Sequence, residues 1–429
     1  MQRIALTFAL AVVAGALAVN AVVVPGYAIV GARIVPVAQA TIERGTVVIR
    51  GGEIVSVESG DAVPGDVQRV DGAGLTVYPG LIDLHALAGV DQPSASAPEN
   101  PDSREITERF RRSQLLRAHV QAADLLNAGS SDLSKLAAAG FTNALVVPRG
   151  DAIAGYSAFI DVVPPEIDPQ VGRLAVDPDG PMVVRPAVAL HVAFPGRNTF
   201  GAYPASLMGG VAFIRQAFLD ARHYQQAPAG ADTPYDQALA AMAPALGGNR
   251  PVAFEASTPR EIRRALAMAR EFALTPVIVG AHGAASVVDD LKAAGARVVL
   301  SVNYPIRPKP LAPEADEPLE DLEARAAARK AAAALAAGGV PFGFGSAGLK
   351  DVKEFVANVR VAVSQGLAAD AAIRALTLDA ATLAGTSGRL GSIERGKRAN
   401  LVVTDGDLIA GTPKIKHLFV GGRLVAVQP

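Results

Sequence analysis

The residues able to do chemistry in this chain sit at or just beyond the ends of short apolar runs. YPGLIDLHALAGV, Tyr78 to Val90, carries Asp83 and His85 two positions apart. PVAFEA ends with Glu255 next to last, and PVIVGAHG carries His282 close to its end. Imidazole and carboxylate bind metals such as zinc and iron, and they also accept protons from water. With no cysteine among 429 residues, thiolate ligands and disulfides are excluded, and a metal could use only His, Asp, Glu or water. Each residue also has a plain structural reading. A lone His85 is a hydrogen-bonded interior residue, since buried polar groups need partners. A carboxylate at Glu255 is costly at the end of an apolar strand unless a cation meets it or water reaches it. Arg149 is the candidate cation by topology. His119, His191, His223 and His417 read as surface or packing residues.

These positions need elements to hold them. Half the residues are hydrophobic, aromatics are 5% and Trp is absent, so the core is built from Ala, Val, Leu and Ile. Such cores suit sheet and helix packing in a large α/β domain. A net charge of −1 leaves no basic surplus for a polyanion, which argues against nucleic acid as a partner. Glycine pairs punctuate both ends: Gly51-Gly52 separates Thr46–Arg50 from Glu53–Val57, and Gly421-Gly422 separates two more apolar runs. A two-residue turn with positive φ makes each a β-hairpin. Between them strands and helices alternate. Arg104 to Asn127 reads as an amphipathic helix, Phe141–Val147 as a strand, and Pro259–Phe272 as a helix with Ile262, Leu266 and Met268 or Ala269 on its buried stripe. Pro276–Gly280 and Arg297–Val302 read as strands, and ARAAARKAAAALAAGG as a helix with a glycine stop. Repeated β-then-helix units imply parallel strands closing a TIM-like (β/α)8 barrel. DQPSASAPENPDS and the proline-rich stretch from Tyr304 to Pro318 read as loops after strand ends, and 196–249 as an insertion with its own helix.

The first 24 residues pair an early cation, Arg3, with an apolar run ending in small residues, as a secretory signal peptide does. The other reading is an uncleaved anchor, because the run continues through Val24 and about 20 apolar residues can span a bilayer. Export to the periplasm or outside the cell is therefore expected, with membrane contact only if the leader stays.

With the β-rich start, VYPGLIDLH, the alternating middle and the C-terminal block GSIERGKRANLVV in order, the chain resembles the amidohydrolase superfamily, nearest to its exported imidazolonepropionase-like members. The resemblance implies a composite β-sandwich from residues 25–78 and 388–429 beside a barrel from 79–387. It also implies a divalent metal, zinc or iron, whose bound water becomes hydroxide near neutral pH. Of the family's ligand positions His85 and His282 match histidines, and Glu255 replaces one. Leu87 and Ala347 stand where a histidine and an aspartate are expected, and no lysine closes FTNALVVPRG. The implied metal set is thus His85, Glu255 and His282, with Asp83 or Glu255 as base. The implied activity is hydrolysis of non-peptide C–N bonds in cyclic amide-like small molecules at an eroded site. The alternatives are a metal-free barrel that binds a ligand or partner without catalysis, and hydrolysis by Asp83 or Glu255 with no metal.

Overall fold

A computed structural model describes residues 26–91, 102–163, 182–194, 203–226, 234–307, 316–346 and 348–425. The leader, Ala347 and much of both proline-rich loops lie outside them. The described residues begin with five strands, β1 (Tyr27–Ile34), β2 (Ile42–Arg50), β3 (Glu53–Ser59), β4 (Gln68–Asp71) and β5 (Thr76–Pro79). Ten follow in the middle: β6 (Leu81–Ala86), β7 (Phe141–Val146), β8 (Ile153–Tyr156), β9 (Ala158–Asp161), β10 (Val183–Arg185), β11 (Leu190–Ala193), β12 (Val252–Ala256), β13 (Pro276–Gly280), β14 (Arg297–Ser301) and β15 (Phe342–Gly345). Three close the chain: β16 (Leu401–Thr404), β17 (Ile415–Val420) and β18 (Arg423–Val425).

Both termini build one eight-stranded sheet, in the order β18-β17-β16-β5-β1-β2-β3 with β4 on β1. Its strands share a core of Tyr27, Ile29, Ile49, Val77, Leu401, Val403 and Phe419. The two glycine hairpins meet: a Cβ on Gly422 would lie 2.6 Å from the Gly52 Cα, so side chains at these turns would push the termini apart. Gly51, Gly52, Gly421 and Gly422 all take positive φ, which glycine adopts without the usual Cβ clash.

Among the described residues the barrel has eight staves. β6 and β7 run parallel, as do β11 through β15. Between these groups β8 and β9, separated only by Ser157, form one stave that is antiparallel to β7 and to β11. The parallel alternation expected from the sequence is thus broken at one position. The ring closes where Ser346, just past β15, donates its backbone N–H to the Asp83 carboxylate of β6 at 2.9 Å and its hydroxyl to the His85 carbonyl at 3.1 Å. Glycine makes that approach possible: a Cβ on Gly345 would stand 2.7 Å from the His85 Cβ. Ile82, Leu84, Leu145, Phe159, Ala253, Val277, Val279 and Val299 fill the interior, with Ala380, Ala381 and Ala384 packed against them.

The helix Pro259–Phe272 forms as expected, with a Thr258–Glu261 capping box, Pro259 at its start and Ile262, Leu266, Met268 and Ala269 buried. The helix from Arg104 stops at Leu115 instead of Asn127. Beyond it Arg117 N–H bonds Ile153 O and Ala122 N–H bonds Tyr156 O, so the backbone joins β8 and its tertiary partner overrides the helical pattern. A polar clasp joins barrel and terminal sheet: Asp161 accepts from Asn143 Nδ2 at 2.8 Å and pairs with Arg398 at 2.5 Å, and Asn400 donates to Asn143 Oδ1 at 2.8 Å.

Candidate functional site

The C-terminal ends of parallel barrel strands gather side chains from several staves, which makes that mouth the place to look for function. His85, next to last in β6, is 5% exposed, and its ring lies 5.7 Å, centroid to centroid, from His191 of β11, itself 3% exposed. The planes differ by 30°. Among the described residues none of the four ring nitrogens has a hydrogen-bond partner. Burial pushes the His85 imidazole down to about 4, and burial with the neighbouring ring pushes His191 down to about 3, so both are neutral near pH 7. His191 is therefore no surface or simple packing residue. The signal that could have found it is its place inside the apolar run VALHVAF, where a histidine must enter a buried strand.

Asp83 does not reach into the mouth. Its Oδ1 accepts from the backbone N–H groups of His85 at 3.0 Å and Ser346 at 2.9 Å, and so holds the seam of the barrel. Among the described residues its Oδ2 is buried without a partner, and burial raises the carboxyl above the ordinary aspartate range despite the hydrogen bonds from His85 and Ser346. Leu87 is half-buried just past β6 and offers no donor.

Glu255, in β12, reaches the open end. Water contacts it, yet the surrounding protein displaces enough solvent to raise its carboxyl above the ordinary range, and among the described residues no cation counters this. The expected Arg149 partner is exposed, and among the described residues no ion pair joins the two. His282 follows β13, where Gly280 at φ 93° and Ala281 at φ 50° turn the chain sharply. A non-glycine residue there carries strain, held by Ala281 N–H to Ala256 O and Gly283 N–H to Ser257 O. His282 bonds the Ser301 backbone, which opposes the lowering of its pKa by burial, while its Nε2 has no partner. Its ring centroid is 6.3 Å from that of Tyr304, whose hydroxyl is buried, unpartnered and pushed up to about 12 by burial. Sequence reasoning placed Tyr304 only at the start of a loop.

The structure thus brings His85 to His191 and His282 to Tyr304, and among the described residues no hydrogen bond or ion pair engages Glu255. It does not gather His85, Glu255 and His282 into one ligand set: among the described residues no group of three or more His, Asp or Glu side chains is arranged to hold a metal.

Residues 268–425 match the amidohydrolase family model. The whole chain resembles an amidohydrolase from Thermotoga maritima MSB8 at TM-score 0.75 and 20% identity, covering 93% of this chain and 99% of that one. The chain has an amidohydrolase-superfamily fold. Other similar structures of the superfamily are a putative prolidase from Bifidobacterium longum, at TM-score 0.56, 16% identity and 94% and 95% coverage, and an adenosine deaminase from Xanthomonas campestris with bound zinc, at 0.51, 17% and 93% and 92%. No curated protein matches the sequence.

Amidohydrolases generally bind a divalent metal, so the residues present must be tested against one. Structural and catalytic zinc sites use three or four protein ligands. Here two imidazoles approach each other, Asp83 is engaged at the seam, and Glu255 and His282 stand apart from the pair. The donor set does not fit the superfamily's metal.

Proposed function

We propose that this chain is a small-molecule-binding barrel of amidohydrolase fold that does not use the metal-hydroxide reaction. The observation carrying this reading is the dispersal of the donors: His85 faces His191, and Glu255 and His282 each present a free polar atom elsewhere at the mouth. Glu255, His282 and Tyr304 follow one another on the ends of three adjacent staves, so a ligand with hydrogen-bonding edges could meet all three. The apolar leader through Val24 supports export, which places that ligand in the periplasm or outside the cell; N-terminal sequencing of mature protein checks cleavage.

A second reading keeps C–N hydrolysis without metal. It is favoured by Glu255, a water-accessible carboxyl with a raised pKa and no counter-ion among the described residues, as a general base would be. One experiment separates the two. Cyclic amides and imides are screened against protein purified without chelator, following both ligand-induced thermal shift and product release. Saturable shifts lost in Glu255→Gln, with no turnover above that variant, support binding. Turnover that Glu255→Gln abolishes supports hydrolysis, and neither shift nor turnover from any compound removes both readings.

A further inference from the structure

The helix Arg104–Leu115 and the helix Leu207–Gln226 face each other across a groove of about 950 Å³. Small-molecule sites commonly enclose about 300–1,000 Å³, so the groove is large enough for one. None of His85, His191, Glu255, His282 and Tyr304 lines it, which sets it apart from the barrel mouth. The first helix turns positions 104, 107, 108, 111, 112 and 115 to the groove, and the second turns 213, 216, 217 and 220. Steps of three and four residues keep each set on one helical face. On the first helix that face is charged as far as Arg112 and apolar from Leu115, so the groove has a polar end and an apolar one.

The polar end holds one guanidinium to spare. Arg104 donates to Glu108 at 2.7 Å and Arg112 pairs with Asp236 at 3.4 Å. Among the described residues Arg111 makes no hydrogen bond or ion pair, and its Nε is buried without a partner. Leaving a buried donor unsatisfied costs about 1–3 kcal/mol, and the flat fork of a guanidinium matches the two oxygens of a carboxylate. The apolar end has Leu115, Leu116 and Ala217 as a buried floor. Tyr203 and Phe213, with ring centroids 6.4 Å apart, add an aromatic wall, and Tyr203 is 60% exposed. The acids limit the charge a ligand can bring. Glu108 and Asp220 also line the groove, so a second negative charge on the ligand would meet a carboxylate rather than another unpaired cation.

We propose that this groove is a second binding site, for a small monocarboxylate with an aromatic or branched apolar body. The carboxylate takes the free side of Arg111, and the body lies over Leu115, Leu116 and the Tyr203–Phe213 pair. Association is non-covalent and needs no proton transfer.

The test is isothermal titration of the full chain with phenylacetate, acetate, phenylethanol and phenyl phosphate at about pH 8, where the phosphate probe is doubly charged. Phenylacetate should bind at one site with a Kd of about 1 mM or tighter, and each of the other three at least about tenfold more weakly. Arg111→Met keeps most of the stem and removes the fork; it should weaken phenylacetate about 10- to 100-fold, the scale of a hydrogen bond to a charged group. Arg111→Lys, which keeps the charge without the fork, should fall between the two. Arg111 holds no other residue in place, so both variants should fold, and far-ultraviolet circular dichroism verifies it. Glu255→Gln, a change at the mouth, should leave phenylacetate binding unaltered, so failure of the mouth reading leaves this result standing. No saturable binding of phenylacetate, phenyl phosphate binding as tightly, binding unchanged in Arg111→Met, or binding lost in Glu255→Gln would each overturn the proposal.

Discussion

At the residue scale, the mouth shows how one strand assigns opposite tasks to neighbouring side chains. Asp83 and His85 share a face in an ideal strand, but the β6–β7 register shifts between Asp83 and Ala86, and Asp83 turns to the seam while His85 meets His191. The sequence showed both residues as chemical candidates and could not show that turn, which depends on Ser346 arriving from 263 positions away. Their mutational signatures should differ accordingly. Asp83→Ala strands two buried N–H donors and should destabilise by about 2–5 kcal/mol, whereas Asp83→Asn keeps an acceptor oxygen and should lose less than about half of that. Urea denaturation of the two variants decides this, and equal losses would mean the charge, not the acceptor, holds the seam. In metal-free protein, His191→Leu should be neutral or stabilising by up to about 2 kcal/mol, because it removes two unpaired nitrogens at little change in volume. A loss of several kcal/mol in the same assay would show that the ring has a bonding partner in solution.

At the element scale, the features legible in the sequence are those set by local rules. The glycine hairpins, the Pro259–Phe272 helix with its capping box, and strand Pro276–Gly280 all follow from turn chemistry and periodicity within a dozen residues. The illegible ones are set by distant partners. Residues 116–122 leave the helical pattern because β8 offers them backbone hydrogen bonds, and the β8–β9 stave reverses direction without a mark in its own residues. Barrel closure belongs to this scale too, since it needs glycine on β15 where β6 comes close. A Cβ on Gly343 would stand 2.5 Å from Leu84 Cδ1 and 3.1 Å from the Ala375 carbonyl. Gly345→Ala adds a methyl against the His85 backbone nitrogen at 3.0 Å, which cannot yield as a flexible side chain can. It should destabilise by about 1–3 kcal/mol, with Gly343→Ala at the lower end because the Leu84 side chain can rotate. Thermal melts of both variants check the order.

For the molecule as a whole, the buried titratable groups make stability depend on pH in a direction that can be worked out. His85 and His191 are held near about 4 and about 3 against an ordinary 6.5. As pH falls below 6.5 the unfolded chain takes up these protons first, so stability is full above that value and is lost as pH falls toward the folded values. Asp83 and Asp161 act in the opposite sense. Their carboxyls are raised by burial, so the folded chain holds its protons longer, and their contribution falls as pH rises from the ordinary 3.8. The two sets therefore pull against each other on the acid side, and the wild-type curve alone does not separate them. Replacing both histidines with leucine does, because it leaves the aspartates in place. Each ring accounts for about 1.4 kcal/mol per pH unit below 6.5, so two units of acidification should cost the wild type up to about 5 kcal/mol more than the double variant. Denaturant unfolding of both proteins in metal-free buffer from about pH 7 to about pH 4.5 measures that difference. Parallel curves would mean that the histidines are not neutral in the fold, and a buried pair already charged or bonded at pH 7 would have to replace the one described above.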